Sequence, residues 1–374
     1  MNSCPPSESV DRYAAWANTA LSGELISRDD AHAILNGDGI ELLPLLHAAG
    51  RVRSHYFANH VTIHILDNVQ NGACPEDCGY CGQSKVSGAP VKPYKIKPVD
   101  QIVEEAKEAK ANGAYRFCMV LSGRGPDDRD INHMTQAIRE VKALGLRTCL
   151  SAGLLDQQKA DELKEAGLDR LNHNLNTSRR RYEEICSTHT YQDRMDTLKS
   201  ARAAGIGLCS GLIVGMGEKH RDIVDVAYEL RELNAESIPV NFLLPITGNP
   251  INKPALEDGE MSPQFVLRVL SMFRFINPKA EIRVAAGREH HLRDLQAMAL
   301  WPANSLFMEG YLLTEGHSAN KTIQMIMDAG FEPKLNEGNW PETLRNMVAK
   351  QASDEQADDS DKVTLKPAVA ACAG

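Results

Sequence analysis

From about residue 61 onward, short apolar runs alternate with longer stretches in which apolar residues recur every three to four positions among charges. The short runs predict buried strands at 61–66, 117–121, 148–152, 171–175, 208–214, 239–244, 282–286 and 305–308. The longer stretches predict amphipathic helices at 99–112, 131–143, 157–166, 194–204, 221–233 and 263–275. Gly113, Gly145, Gly167 and Gly205 stand where helix C-termini favour a left-handed residue. Eight strands alternating with helices imply a parallel sheet, and eight is the number that closes a (β/α)8 barrel. The expected class is therefore α/β, a TIM-type barrel, with an open doubly wound sheet as the alternative.

The ends of the chain read differently. Residues 1–48 place Ala31, Ile34 and Leu35, then Leu42, Leu43, Leu45 and Leu46, at helical spacing around a Gly37-Asp38-Gly39 turn, which predicts an N-terminal helical extension. Residues 49–330 form the expected barrel. Within the C-terminal extension, 331–374, the periodicity fades into a polar acidic run at 351–361 and an Ala-rich end, so disorder is expected from about residue 349.

A formal charge of −9 argues against a nucleic-acid partner, because phosphate binding draws on clustered Lys and Arg. The basic run Arg179-Arg180-Arg181 is followed by Glu183-Glu184 and reads as a solvated helix face. No apolar stretch reaches the roughly 20 residues that cross a bilayer, and the polar start lacks a secretory pattern. A cytoplasmic chain with no membrane partner is expected. Three of the nine cysteines fall within eight residues, which suits metal ligation better than a disulfide framework.

Those three, Cys74, Cys78 and Cys81, form a C-x3-C-x2-C triplet directly after the first predicted strand, and barrel active sites lie at the C-terminal ends of strands. Three thiolates can hold three irons of a [4Fe-4S] cubane that ordinarily takes four cysteines. The fourth iron is then open to chelate S-adenosylmethionine (SAM). The competing reading, from a different functional class, is a zinc-stabilised binding module with His64 as the fourth tetrahedral ligand.

Cys118, Cys149 and Cys209 fall on three further strands and Arg283 on a fourth. Singly, each cysteine would be a small buried hydrophobe. An Arg between Ile282 and Val284 on a barrel strand, however, needs a buried partner. Asn172, Asn174 and Asn176 alternate at the period of a strand and so should share a face, where buried amides need partners.

The segment GACPEDCGYCGQS (72–84) resembles the biotin synthases of the radical SAM superfamily. So do LNHNLNTS (171–178), STHTYQDRMDTL (187–198), CSGLIVGMGE (209–218), SIPVNFLLPITGNP (237–250) and RVAAGRE (283–289). The resemblance implies a [4Fe-4S] cluster on Cys74, Cys78 and Cys81, and a sulfur-donating [2Fe-2S] cluster on Cys118, Cys149, Cys209 and Arg283. It assigns SAM contacts to Tyr80, Gly123, Asn174, Asn176 and Ile213, and dethiobiotin contacts to Asn172, Asn174 and Asn241. It further implies sulfur insertion at C6 and C9 of dethiobiotin, a flavodoxin or ferredoxin as electron donor, and a homodimer. Related methylornithine synthases and hydrogenase maturases should lack the complete Cys118, Cys149, Cys209 and Arg283 set. Gly82, Leu171 and Asn176 stand where many relatives carry Pro, Tyr and Asp, and Cys4, Cys186 and Cys372 match no motif position.

Overall fold

The computed structural model describes residues 8–336. Helices α1 (Glu8–Ser22), α2 (Arg28–Asn36) and α3 (Leu42–Phe57) come first. Ser27 and Asp30 cap α2 reciprocally, and Gly37 ends it in the left-handed conformation, the turn read from the Gly-Asp-Gly signal.

The barrel then runs β1 (His60–Asn68), α4 (Val99–Ala111), β2 (Arg116–Val120), α5 (Asp128–Ala143), β3 (Arg147–Ser151), α6 (Gln157–Glu165) and β4 (Arg170–Asn172). After the short α7 (Tyr182–Ile185) it continues α8 (Tyr191–Ala203), β5 (Gly207–Cys209), β6 (Leu212–Val214), α9 (His220–Glu232), β7 (Ser237–Phe242), α10 (Pro263–Ile276), β8 (Glu281–Val284), α11 (Arg288–Leu292) and β9 (Ser305–Phe307). Every barrel pairing is parallel, and β9 returns to pair with β1, which closes the expected eight-position barrel. Gly113, Gly145, Gly167 and Gly205 all adopt positive φ after their helices.

Two predicted strands are altered. The single run 208–214 is two strands, β5 and β6, both carried on β7. Gly211, between them, faces Pro239 so closely that a Cβ would lie 1.9 Å from the Pro239 carbonyl oxygen. Pro239 also has no N–H for the ladder, so the pairing breaks there. The run 171–175 is a strand only to Asn172. Asn176 has a φ of 69°, a left-handed conformation that Asn tolerates, and exchanges backbone hydrogen bonds with Gly211 and Ile213. Strand periodicity therefore does not reach Asn176.

Alternation along the strands sorts two cores. Outward residues such as Ile63, Phe117, Met119, Leu150, Ile238 and Val284 join the large apolar core shared with the helices. The inward Cys118, Cys149 and Cys209 form a separate small cluster with Ala285 and Phe307. Below it the lumen is polar, filled by His64, Arg116, Arg170, Ser237, Glu281 and Ser305, where TIM barrels ordinarily stack branched apolar side chains.

After the barrel come the hairpin β10 (Gly310–Tyr311) and β11 (Thr314–Glu315), the helix α12 (Ala319–Asp328) and β12 (Glu332–Pro333). β12 pairs with the start of β1, in parallel, at His60 and Val61. The tail expected to be disordered lies outside the described residues, as do Cys4 and Cys372. No helix among the described residues is long and apolar enough to cross a membrane.

Candidate active site

The loop after β1 is shaped by its own hydrogen bonds and by the chain that packs on it. Gly72 N–H donates to Gln83 Oε1 at 2.8 Å, Cys74 N–H to the Gln83 carbonyl, and Ser122 Oγ to the Gly72 carbonyl at 2.7 Å. Asp77 accepts from the backbone N–H groups of Ser187 (2.9 Å) and Thr188 (3.2 Å). Burial would raise the Asp77 pKa, but the hydrogen bonds from Ser187, Cys186 and Thr188 outweigh it and hold the carboxylate ionised. Glu76 accepts from Thr188 Oγ1 at 2.7 Å and meets His189 Nδ1 at 2.5 Å. These ties fix Cys74, Cys78 and Cys81 at the mouth of a pocket that opens into the barrel.

The same pocket reaches Cys118, Cys149 and Arg283, with Cys209 fully buried behind them. Register explains the grouping: Cys118 lies opposite Cys149, Asn172 opposite Cys209, and Arg283 between Pro239 and Ser305. Arg283 Nη1 is 3.6 Å from Cys209 Sγ, and its Nη2 is 2.6 Å from Glu281 Oε1. Burial would lower the Arg283 pKa, but Cys209 and Glu281 raise it, so the guanidinium stays charged. Glu281 is held well below the usual carboxylate range by Arg170, His64 and Arg283, against its burial.

His64 is where the sequence misleads. Its ring nitrogens face Cys118 Sγ (3.5 Å), Glu281 Oε1 (2.9 Å) and Arg283 Nη2 (3.1 Å), so it serves the interior cysteines and not the loop triplet to which a zinc reading would assign it. Alternation carries the side chain inward, ten residues before Cys74, while the chain continues up and out. Burial, then Arg283, lowers its pKa to about 3, which keeps the ring neutral.

Tyr80 and Asn176 meet directly, the Asn176 amide donating to the phenol oxygen at 2.6 Å. Asn172 reaches Cys209 Sγ at 3.3 Å and Asn174 Oδ1 at 3.4 Å. Asn172, Asn174, Asn176, Gly123 and Ile213 all line the pocket. Asn241 lines it too, but its amide ties strands together, donating to the Leu212 carbonyl at 3.0 Å and accepting from Ala286 N–H at 3.2 Å.

Sequence reasoning passed over several residues in and around the pocket. Buried Arg194 joins His189 Nε2 (2.8 Å), the Asn174 carbonyl (2.9 Å) and the Tyr182 hydroxyl. Its signal lay in the STHTYQDR motif. Cys186 lies 3.7 Å from Cys78 Sγ and 3.2 Å from His189 Nδ1. The basic run is a 3-10 turn with partners: Arg180 holds Asp222 at 2.6 Å and Arg181 holds Glu184 at 2.9 Å.

The donor chemistry fits iron at both levels. Burial raises the pKa of Cys74 and Cys81, and Cys149 is pushed up to about 12, chiefly by its hydrogen bond with Cys118. Metal-free, these groups are thiols, and a bound metal must displace their protons. Arg194 above is already in place as a cation for the resulting thiolates, and Arg283 below is one in the metal-free chain but must give up a proton to offer iron a nitrogen lone pair.

Two family models cover most of the chain: Radical SAM superfamily over residues 70–230, and Biotin and Thiamin Synthesis associated domain over residues 239–332. The chain is 56% identical to the biotin synthase of Acaryochloris marina over 313 residues, 83% of this chain and 89% of the relative. It is 52% identical to that of Leptospira biflexa over 336 residues, 90% and 94% of the two chains. Among solved structures, methylornithine synthase matches with a TM-score of 0.73 at 19% identity (86% and 98% covered). The hydrogenase maturase HydG of Carboxydothermus hydrogenoformans matches at 0.71 and 17% (87% and 80% covered). At such identities these two speak for the fold alone.

Proposed function

The chain belongs to the biotin synthase family of radical SAM enzymes, and on that premise we propose a division of labour between the two cysteine sets. The family's activity is the conversion of dethiobiotin to biotin. When bound, a [4Fe-4S] cluster with SAM supplies the 5′-deoxyadenosyl radical that abstracts hydrogen, and a [2Fe-2S] cluster supplies the sulfur.

Cys74, Cys78 and Cys81 are the residues to hold the first cluster, with Cys118, Cys149, Cys209 and Arg283 for the second. The observation that carries this is one pocket that reaches both sets, with the loop thiols at its mouth, Cys118, Cys149 and Arg283 lining its floor, and Cys209 buried behind them. A substrate between them would face both, enclosed so that a radical formed there is kept from side reactions. Tyr80 and Asn176, already hydrogen-bonded to one another, are positioned to take the nucleoside. The Gly123 segment can offer backbone to the methionine end. Asn172 and Asn174, in long contact with one another at the pocket wall, can turn their amides to the ureido group of dethiobiotin, a cyclic urea whose N–H and C=O groups match amide donors and acceptors. Asn241 orders the wall between β6 and β7. An electron donor of the flavodoxin or ferredoxin type and a homodimer complete the proposal on family grounds.

The test is Cys209→Ala beside Arg283→Ala. Anaerobic incubation with dethiobiotin, SAM and reductant is followed by mass detection of biotin, with cluster content from Mössbauer spectra. Cys209→Ala should lose the two-iron cluster and all biotin while retaining the four-iron absorbance. Arg283→Ala keeps three thiolates and should lower the yield without abolishing it. Biotin at wild-type yield from Cys209→Ala would refute the sulfur-donor assignment.

A further inference from the structure

His64 is fully buried, and nothing in the reaction described above uses it. The neighbouring hydrogens settle its tautomer. Arg283 Nη2 has two hydrogens, and its closest acceptors are Glu281 Oε1 at 2.6 Å and Ser237 Oγ at 2.8 Å. Ser237 spends its own hydrogen on Glu281 Oε1 at 3.2 Å. The ring proton of His64 therefore belongs on Nε2, donated to Glu281 at 2.9 Å. Nδ1 is left as a bare lone pair, 3.5 Å from Cys118 Sγ.

A carboxylate on one ring nitrogen and a free lone pair on the other is how proteins present histidine to a metal. The spacing agrees. With metal–sulfur and metal–nitrogen bonds of about 2.3 and 2.0 Å at a tetrahedral angle, two donors on one ion stand about 3.5 Å apart. Yet Cys118, Cys149, Cys209 and Arg283 already supply the four terminal positions that a two-iron cluster offers. His64 is a fifth donor for four places.

We propose that His64 is a reserve iron ligand, taking the position that opens on the Cys118 iron when sulfide leaves with the product. The inference rests on the proposed second cluster. In the step, an iron–sulfide bond breaks and an iron–Nδ1 bond forms from the histidine lone pair. The histidine loses no proton, since its proton is on Nε2. Sulfide gives up one electron to ferric iron for each carbon radical it bonds, so two C–S bonds leave two ferrous irons. The iron stays in the barrel, so no new iron has to be delivered before the site can be rebuilt.

The experiment compares the full-length wild-type chain with His64→Gln, whose amide can keep the Glu281 contact without offering a comparable ligand. Each is reconstituted with 57Fe and sulfide, recorded by Mössbauer, taken through one turnover with dithionite, desalted anaerobically and analysed for iron. Losing this ligand should speed iron loss from the second site by about tenfold or more, the scale at which even an outer partner of a metal-bound histidine acts. Equal retention overturns the inference while leaving the cluster reading intact. Absence of a two-iron signal in the wild type before turnover removes the reading on which the inference stands. A second measurement does not depend on that variant folding. Cobalt(II), added without sulfide to the 15N-histidine-labelled Cys74→Ala/Cys78→Ala/Cys81→Ala/Cys186→Ser chain, which also removes the thiol beside His189, should show thiolate charge-transfer bands and a coordinated histidine nitrogen by pulsed EPR. Thiolate bands without that nitrogen coupling would also overturn it.

Discussion

Replacing Glu281 by Gln tests whether one carboxylate balances the charge at the floor of the barrel. Glu281 is 5% exposed and accepts from Arg283 at 2.6 Å, Arg170 at 2.9 Å, His64 at 2.9 Å and Ser237 at 3.2 Å. Gln keeps the shape and removes the charge, leaving two guanidinium groups without their shared counter-ion. Breaking a buried pair in this way costs about 3–5 kcal/mol. For a chain of this size that is about 6–10 °C in Tm, at roughly 2 °C per kcal/mol. The assay is thermal unfolding of the metal-free chain at neutral pH, under reductant, followed by circular dichroism. Glu104→Gln is the control: its pair with Lys107 is exposed, and its loss should cost less than about 0.5 kcal/mol. Because the folded pKa of Glu281 is depressed, its contribution is present above the unfolded carboxylate value of about 4.3 and fades as pH falls through the folded value. The gap between wild type and Glu281→Gln should therefore narrow in acid. Adding Arg170→Met should cost less than the sum of the single changes, since the second change removes a cation already stranded by the first. If Glu281→Gln melts within about 2 °C of the wild type, the charge balance drawn here is wrong.

Three further outcomes follow from particular contacts. Cys78→Ala should form no 5′-deoxyadenosine from SAM and reductant by liquid chromatography, because a cubane with two thiolates loses its anchor; normal yield would exclude the triplet as the cluster site. Glu218 is buried, and despite its bonds from Gly215 N–H (2.6 Å) and Met216 N–H (2.7 Å) its pKa is raised to about 7 by burial. The folded chain thus holds that proton more tightly, and stability should fall by about 3 kcal/mol as pH rises from about 4.5 to about 7. Denaturant titrations of Glu218→Gln should lack this component, and superimposable pH profiles would contradict it. Gly211→Ala should lower stability by about 3 kcal/mol or more, since its Cβ would overlap the Pro239 carbonyl; an unchanged melting curve would show that β6 and β7 can part freely.

The barrel was legible because its strands carry short runs of apolar residues on the face that packs under the helices, and because its helices end in Gly. The interruptions were not. Nothing in the run 208–214 announces that Gly211 meets Pro239, a contact set by the neighbouring strand. Asn172, Asn174 and Asn176 do gather in one pocket, but by a turn into the left-handed region at Asn176 and not by strand period. The triplet stood out because three thiols within eight residues have few uses. Glu76, His189 and Arg194 are each an unremarkable polar residue in the sequence, and their meaning comes from convergence across more than a hundred positions. His64 was tied to the triplet by proximity in sequence, whereas strand alternation ties it to Cys118.

The position of β12 bears on how the chain is made. β1 is bonded at its start by β12, in its middle by β9 and toward its end by β2. A ribosome adding about 5–20 residues per second needs roughly 15–55 s to travel from His60 to Glu332. For most of that interval, until β9 has been made, one flank of the first barrel strand has no partner from its own barrel, and the cysteine loop that follows it stands outside any closed lumen. Nascent chains are thus accessible at the very segment proposed to take up iron. Folding helpers and iron-delivery proteins that act during translation would find those thiols before the barrel shuts.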